Sequence, residues 1–217
     1  MRTIVTTSNL YLHLLPVFTY LWNKYYPGQQ VTVLGYDVPR ESLPGNFTFV
    51  SMGRQGDVCE WSTDIRKWVE GQDAEWLLWV MEDTFLKTSV NSEQIDCACA
   101  LMYEGIGRIG LTKDIQNREH NTDQFGVVWA HPESRYRLST QPSIWNKKFL
   151  LQHMTEGLTP WEFETQDPKN DNWAVVGLKE WPISHNEGVN KRDRFALDLT
   201  GMVKEDIDHI NKIKATW

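Results

Sequence analysis

The chain is poor in cysteine, with only Cys59, Cys97 and Cys99 among 217 residues. Three is too few, and odd, for a disulfide framework, and no spacing among them makes a zinc site. Cys97 and Cys99 stand two apart in an expected helix, face different ways, and read as packing residues. No run of about 18 apolar residues occurs, so no transmembrane helix is expected. Met1-Arg-Thr-Ile-Val-Thr-Thr7 enters strand-like sequence directly, without a secretion-signal pattern, and a cytoplasmic location is expected. Asn46-Phe-Thr48 is therefore not read as a glycosylation acceptor. Positive charge is also short: 22 Lys and Arg face 29 Asp and Glu, a net charge of −7. That argues against broad, nonspecific nucleic-acid binding, which needs a cationic field. Local patches remain, at Arg135, Arg137, Lys147 and Lys148 and at Lys191, Arg192 and Arg194. A Gly-x-Ser-x-Gly elbow, a P-loop, internal repeats and low-complexity segments are all missing.

What is present is enough apolar material, 41% of residues, for a real core, and eleven tryptophans. Tryptophan suits sugar-binding clefts because its flat face stacks while its N–H donates, although most of the eleven belong in a core. The length favours one α/β domain. Arg2 to Thr6 reads as a strand, and Leu10, Leu14, Val17, Phe18, Leu21, Trp22 and Tyr25 follow at helical spacing, with a kink or a restarted helix expected at Pro16. Strands are expected at Val31 to Tyr36 and Phe47 to Met52, and a helix from about Ser62 to Glu70. Asn91 or Ser92 caps a helix reaching about Glu104. Short strands are expected at Arg108 to Thr112, Phe125 to Ala130 and Tyr136 to Thr140, and Ser143 is expected to cap a helix holding Trp145 and Phe149. A late strand at Trp173 to Leu178 and an amphipathic helix at Val203 to Lys214 complete the chain. Strand and helix alternate in the first part, which argues for a parallel sheet.

The stretch Glu75-Trp-Leu-Leu-Trp-Val-Met-Glu-Asp-Thr-Phe85 organises this pattern. Six of the seven residues from Trp76 to Glu82 are apolar, the signature of a strand buried on both faces. It breaks into Glu82 and Asp83, and in open α/β sheets ligands bind just beyond the carboxyl ends of strands. Two carboxylates there can hold a divalent cation, with Asp83 the better ligand. Thr159-Pro-Trp-Glu-Phe-Glu164 is a second acidic group. Its Pro and carboxylates are also plain helix-start chemistry. One of Glu162 and Glu164, raised in pKa beside an aromatic wall, would make a general base. His185-Asn-Glu-Gly-Val-Asn-Lys191 is a polar loop in which His185 is a candidate metal ligand and Lys191 or Arg192 a phosphate partner. Gly105-Ile-Gly-Arg-Ile-Gly110 spells the dinucleotide fingerprint, but it follows a helix and leads into a strand. Gly105 is better read as a left-handed helix terminus, and NAD binding is rejected.

Four pieces together resemble the GT-A family of nucleotide-sugar glycosyltransferases, in its small bacterial and phage-like single-domain members. They are Thr6-Thr-Ser-Asn-Leu-Tyr-Leu-His-Leu-Leu-Pro16, Trp79-Val-Met-Glu-Asp-Thr-Phe-Leu86, Leu138-Ser-Thr-Gln-Pro-Ser-Ile-Trp145 and Pro160-Trp-Glu-Phe-Glu164. The resemblance implies a mostly parallel central sheet flanked by helices, with a nucleotide-binding half at about 1–112 and an acceptor-binding half at about 113–217. It implies that Thr6, Thr7 and Ser8 contact the nucleotide, that Tyr36 stacks on its base, and that Asp83 with Glu82 coordinates Mn²⁺ or Mg²⁺. Met81 stands where the family's motif has its first Asp, so only an adjacent pair remains. Gln141, Trp145 and Trp161 would border the acceptor, and Glu164 ahead of Glu162 would be the base of an inverting transfer, with Lys191 or His185 near the diphosphate. The implied partners are a nucleotide-sugar donor and, as acceptor, a glycan, a small molecule or hydroxymethylated pyrimidine in DNA. A nucleotidyltransferase on a related sheet and a noncatalytic carbohydrate-binding or scaffold protein are the rival readings.

Overall fold

The computed structural model of the chain describes residues 1–115, 122–124, 126–166, 171–190 and 193–217. Strands β1 (Arg2–Thr6), β2 (Val31–Gly35), β3 (Phe47–Ser51) and β4 (Trp76–Met81) pair in parallel in the order β3-β2-β1-β4. Chain order therefore reverses between β1 and β4, which is where an open α/β sheet is expected to form a ligand crevice at the carboxyl ends of its strands. The sheet continues through β9 (Ser143–Asn146), β6 (Ile106–Gly110), β10 (Ala174–Leu178), β8 (Val127–Trp129) and β7 (Thr122–Gln124). β9 runs antiparallel to both β4 and β6, while β6 and β10 are parallel. Strand β5 (Thr84–Leu86) leaves the main sheet just past β4 and pairs antiparallel with β11 (His185–Glu187). β12 (Val189–Asn190) and β13 (Asp193–Leu197) form a further antiparallel pair.

Helices cover both faces. One core joins Val5, Val33, Leu78 and Val80 to α1 (Leu15–Tyr25), α3 (Ser92–Ala100) and α6 (Lys204–Lys214). The other joins Ile4, Leu34, Leu77 and Trp79 to α2 (Trp61–Glu70), α4 (Lys147–His153) and α5 (Pro160–Thr165). Neighbours such as Ile4 and Val5 or Leu77 and Leu78 point to opposite faces, so a strand covered on both sides must be apolar at every position. This is the expected mixed α/β architecture with a mostly parallel sheet. Pro16 stands in the first turn of α1, after a single 3₁₀ turn at Leu12–Leu14, where its missing N–H costs nothing. Gly105 has φ +94, the expected left-handed residue, although α3 already ends at Ala100.

The segment from 136 to 146 departs from expectation. Tyr136 to Thr140 is a turn and not a strand, and Ser143 to Asn146 is a strand and not a helix start. The true cap is Asn146, whose Oδ1 accepts from the N–H groups of Lys148 and Phe149. Two of the four basic residues nearby are already engaged. Arg137 is buried and donates to Asp171 through both terminal nitrogens at 3.0 Å, and Lys147 donates to the carbonyls of Glu70 and Gln72, while Arg135 and Lys148 are exposed. Cys97 is exposed on α3 and does not pack.

Candidate functional site

β1 and β4 bring Thr7 and Glu82 side by side, one residue beyond the paired Thr6 and Met81. Thr7 is buried and fixed by its N–H bond to the Leu34 carbonyl, and its hydroxyl reaches both the Ser8 carbonyl and the Glu82 carboxyl. Glu82 is only 4% exposed, and its Oε2 has no hydrogen-bond partner among the described residues. Burial first, and then the charge of Asp83, push its pKa well above the carboxylate range, against the opposing pull of the Thr7 hydroxyl. Asp83 is half-buried at the mouth of the crevice. Burial, then the charge of Glu187 and then that of Glu164, push it up to about 6. Two carboxylates distant in sequence thus lie near enough for their charges to act on Asp83.

Each of those two carboxylates is positioned by its own element. α5 begins with a capping box, Thr159 Oγ1 accepting from the Glu162 N–H and Glu162 accepting from the Thr159 N–H. Phe163 then drives into the core against Trp61, Trp79 and Trp145. Glu164, next along, accepts at Oε1 from both the N–H and the hydroxyl of Thr140, each at 2.6 Å. No partner is described for its Oε2. Glu187 sits on β11, held at Oε1 by Gln141 Nε2 at 2.9 Å. That bond fixes the Gln141 amide, so its oxygen faces His185 Nε2 at 2.8 Å and accepts a hydrogen bond from its N–H. Gly188 lets this strand press onto β5, since a Cβ there would meet the Phe85 ring at 2.6 Å, and its N–H bonds the Asp83 carbonyl.

The remaining expected residues divide. Thr6 is turned inward: its hydroxyl accepts from Trp79 Nε1 at 3.0 Å and donates to Met81 Sδ, so it does not face a nucleotide. Ser8 is half-buried beside the crevice. Tyr36 is buried and its hydroxyl donates to Asp64 of α2 at 2.9 Å, which leaves no open face for stacking on a base. Trp145 is completely buried on β9, packed on Trp79 with the Arg108 guanidinium 5.4 Å from its ring, and cannot border an acceptor. Trp161 is 62% exposed on α5. Glu162 is exposed and spent on the capping box, so the helix-start reading holds for it and the base reading passes to Glu164. Lys191 and Arg192 lie outside the described residues. Sequence reading missed Glu187 and Tyr11. Burial and then the charges of Glu82 and Asp83 raise the Tyr11 pKa, while Arg194 opposes them, so this phenol lies within electrostatic reach of all three.

Among the described residues no three His, Cys, Asp or Glu side chains form a ready-made metal site, so Glu82 and Asp83 are the groups that would have to hold a divalent ion. His185 spends Nε2 as a donor to Gln141, and burial pushes its pKa down to about 4, which keeps it neutral. What the arrangement offers is a buried carboxyl at Glu82 whose pKa burial pushes up, which favours its hydrogen-bond-donating form, beside carboxylates able to accept one.

A stability consequence follows for Asp83. Its folded pKa of about 6 lies above the ordinary value of 3.8. Between those values the folded protein holds a proton that the unfolded chain has released, so stability falls as pH rises through the window. The loss is about 3 kcal/mol. Asp83→Asn is expected to unfold at higher urea than the parent at pH 7 and at equal urea near pH 3. A parallel pH profile for the two proteins would refute the assignment.

No family model matches the sequence, and no curated protein is significantly similar to it. Solved structures of similar shape include a cytidylyltransferase from Leptospira borgpetersenii serovar Hardjo-bovis, at 10% identity and TM-score 0.47, covering 99% of this chain and 94% of that one. Another is the bifunctional IspDF of Campylobacter jejuni, at 15% identity and TM-score 0.42, covering 79% of this chain. A third is the galactosyltransferase LgtC in complex with donor and acceptor sugar analogues, at 11% identity and TM-score 0.42, covering 70% of this chain. The chain spans 45% of the IspDF chain and 60% of the LgtC chain. These likenesses assign no family.

Proposed function

We propose that the chain is a transferase that moves a sugar from a nucleoside-diphosphate donor to an acceptor hydroxyl, with inversion. The observation that carries this is the placement of Thr7, Glu82 and Asp83 where strand order reverses between β1 and β4, with Glu164 near enough for its charge to act on Asp83. An acceptor oxygen attacks the anomeric carbon, and its proton passes to the unpartnered oxygen of Glu164. The bond from that carbon to the diphosphate oxygen breaks, and the electron pair leaves with the diphosphate. Protonated Glu82, with Thr7, is suited to donate hydrogen bonds to the leaving group or to sugar hydroxyls. Asp83 and Glu187 are suited to accept from those hydroxyls. Such a site works by positioning two substrates, which is consistent with a chain that lacks a nucleophile motif.

Thermal shift with a panel of nucleoside diphosphates and nucleotide sugars, with and without Mn²⁺, tests the reading. One or more is expected to stabilise the protein by about 2.7 kcal/mol at a hundredfold excess over Kd. Mass analysis of products from mixed donors and acceptors then identifies what is transferred. Failure of every nucleotide to raise the melting temperature, in either condition, would count decisively against it.

A further inference from the structure

A cavity of about 1180 Å³ lies outside the crevice, between the turn leading into α1, the loop at 37–44, β13 and α6. None of Thr7, Ser8, Glu82, Asp83 or Glu164 lines it. Asn9 is the wall between the two spaces, tied on one side to Asp37 through its Oδ1 and on the other to Gln55 through its N–H.

Three rings from three separate elements meet in this cavity. His13 lies 4.9 Å from Phe195 and 4.7 Å from Trp217, and Phe195 lies 6.1 Å from Trp217. The cluster is built and not incidental, because His13 Nε2 donates to the Arg194 carbonyl and the Arg194 guanidinium lies 4.9 Å over the Phe195 ring. Phe195 is nevertheless 42% exposed, a large ring left with a bare face in a concave site. A second ring pair, Tyr20 stacked on His209 at 3.9 Å, lines the same cavity two helical turns further along α1, about 10 Å away. Hydroxyls and amides surround these faces, among them Asn9, Thr19, Asn23 and Ser42. The charges nearly cancel: Arg40 and Arg194 stand against Asp37 and Glu41, and Lys24 is already held by Asp206 and Glu205. A polyanion would find no net field there. Flat apolar faces spaced along a groove, rimmed by neutral hydrogen-bonding groups, match a molecule whose rings are apolar on their faces and hydroxylated at their edges.

We propose that this cavity binds a neutral oligosaccharide, with sugar rings laid on the His13–Phe195–Trp217 cluster and against the Tyr20–His209 pair. Given the transferase reading above, on which this step rests, the oligosaccharide is the acceptor, and Asn9 and Tyr11 mark where it passes into the crevice.

Titration calorimetry with the full chain and neutral hexasaccharides of the malto, cello, xylo and N-acetylchito series tests the binding. At least one series is expected to bind, with Phe195→Ala weakening it about three- to tenfold at an unchanged melting temperature. Trp217→Ala provides a second, independent probe of the same cluster. Absence of binding in all four series at millimolar concentration overturns the proposal. So does binding that neither variant weakens, and so does displacement of the sugar by a nucleoside diphosphate, which would make the cavity the donor's. The transferase reading fails separately: oligosaccharide binding without any nucleotide response would remove that reading and leave the cavity assignment standing.

Discussion

Glu164→Gln is expected to lower the rate of sugar transfer by about 10²–10⁴-fold while leaving the melting temperature within a degree or so of the parent. The side chain is held at Oε1 by two bonds from Thr140, and a glutamine carbonyl oxygen accepts both just as well. Its anchor also lies elsewhere, in the buried Phe163 and the capping box of α5, neither of which the substitution touches. What the amide cannot do is take a proton at the second position. The loss should therefore fall on kcat, with donor affinity preserved, and single-turnover assays with the identified nucleotide sugar would measure it. Full activity in this variant would move the base to another group, and Asp83, raised to about 6 in the same crevice, would then be the first to substitute. Glu162→Gln supplies the contrast: it weakens a helix cap on the surface and should slow nothing.

The parts of this site that were legible in the sequence are those fixed by local pattern. An all-apolar run ending in two acids gave β4 and its edge, because a strand covered on both faces has no polar positions to hide. Pro160 and Glu162 read as a helix start because a proline at the first helical position and a carboxylate in the first turn are local signals. The missed parts depend on partners far along the chain. Ser143-Ile-Trp-Asn146 looks like a cap followed by a helix, and only its insertion between β4 and β6 makes it a strand and buries Trp145. Thr6 and Thr7 are equivalent as letters, but side chains alternate across a strand. One hydroxyl goes to Trp79 in the core and the other to the crevice. Glu187 gave no signal of its own; β11 reaches the crevice by pairing with β5, about a hundred residues earlier. Tyr36 had the right position and the wrong freedom, since Asp64 takes its hydroxyl.

Asp206→Ala is expected to destabilise the protein by about 3–5 kcal/mol. Asp206 is completely buried at the start of α6, and three donors from α1 converge on it. Lys24 Nζ approaches Oδ1 at 2.6 Å and Tyr20 donates to Oδ1 at 2.8 Å, while Tyr25 donates to Oδ2. Burial alone would raise this carboxyl's pKa, but Lys24 and then the Tyr25 and Tyr20 hydroxyls outweigh it, and the net direction is down. The stabilisation is therefore fully present above the ordinary Asp value and drains away as pH falls through the depressed one. Alanine leaves the two phenols without their acceptor and Lys24 with Glu205 alone, and asparagine would turn an N–H toward at least one of the three donors. Adding Tyr20→Phe and Tyr25→Phe to Asp206→Ala should return part of the loss, because unmatched donors cost more than absent ones. Urea unfolding of this series at pH 7 and near pH 3 would show the difference shrinking at the lower pH. The same contact also bears on ligand binding: α6 carries His209 and Ile213 into the cavity wall and precedes Trp217. Loosening α6 from α1 should therefore weaken oligosaccharide binding before it disturbs the crevice, which β1 and β4 hold on their own.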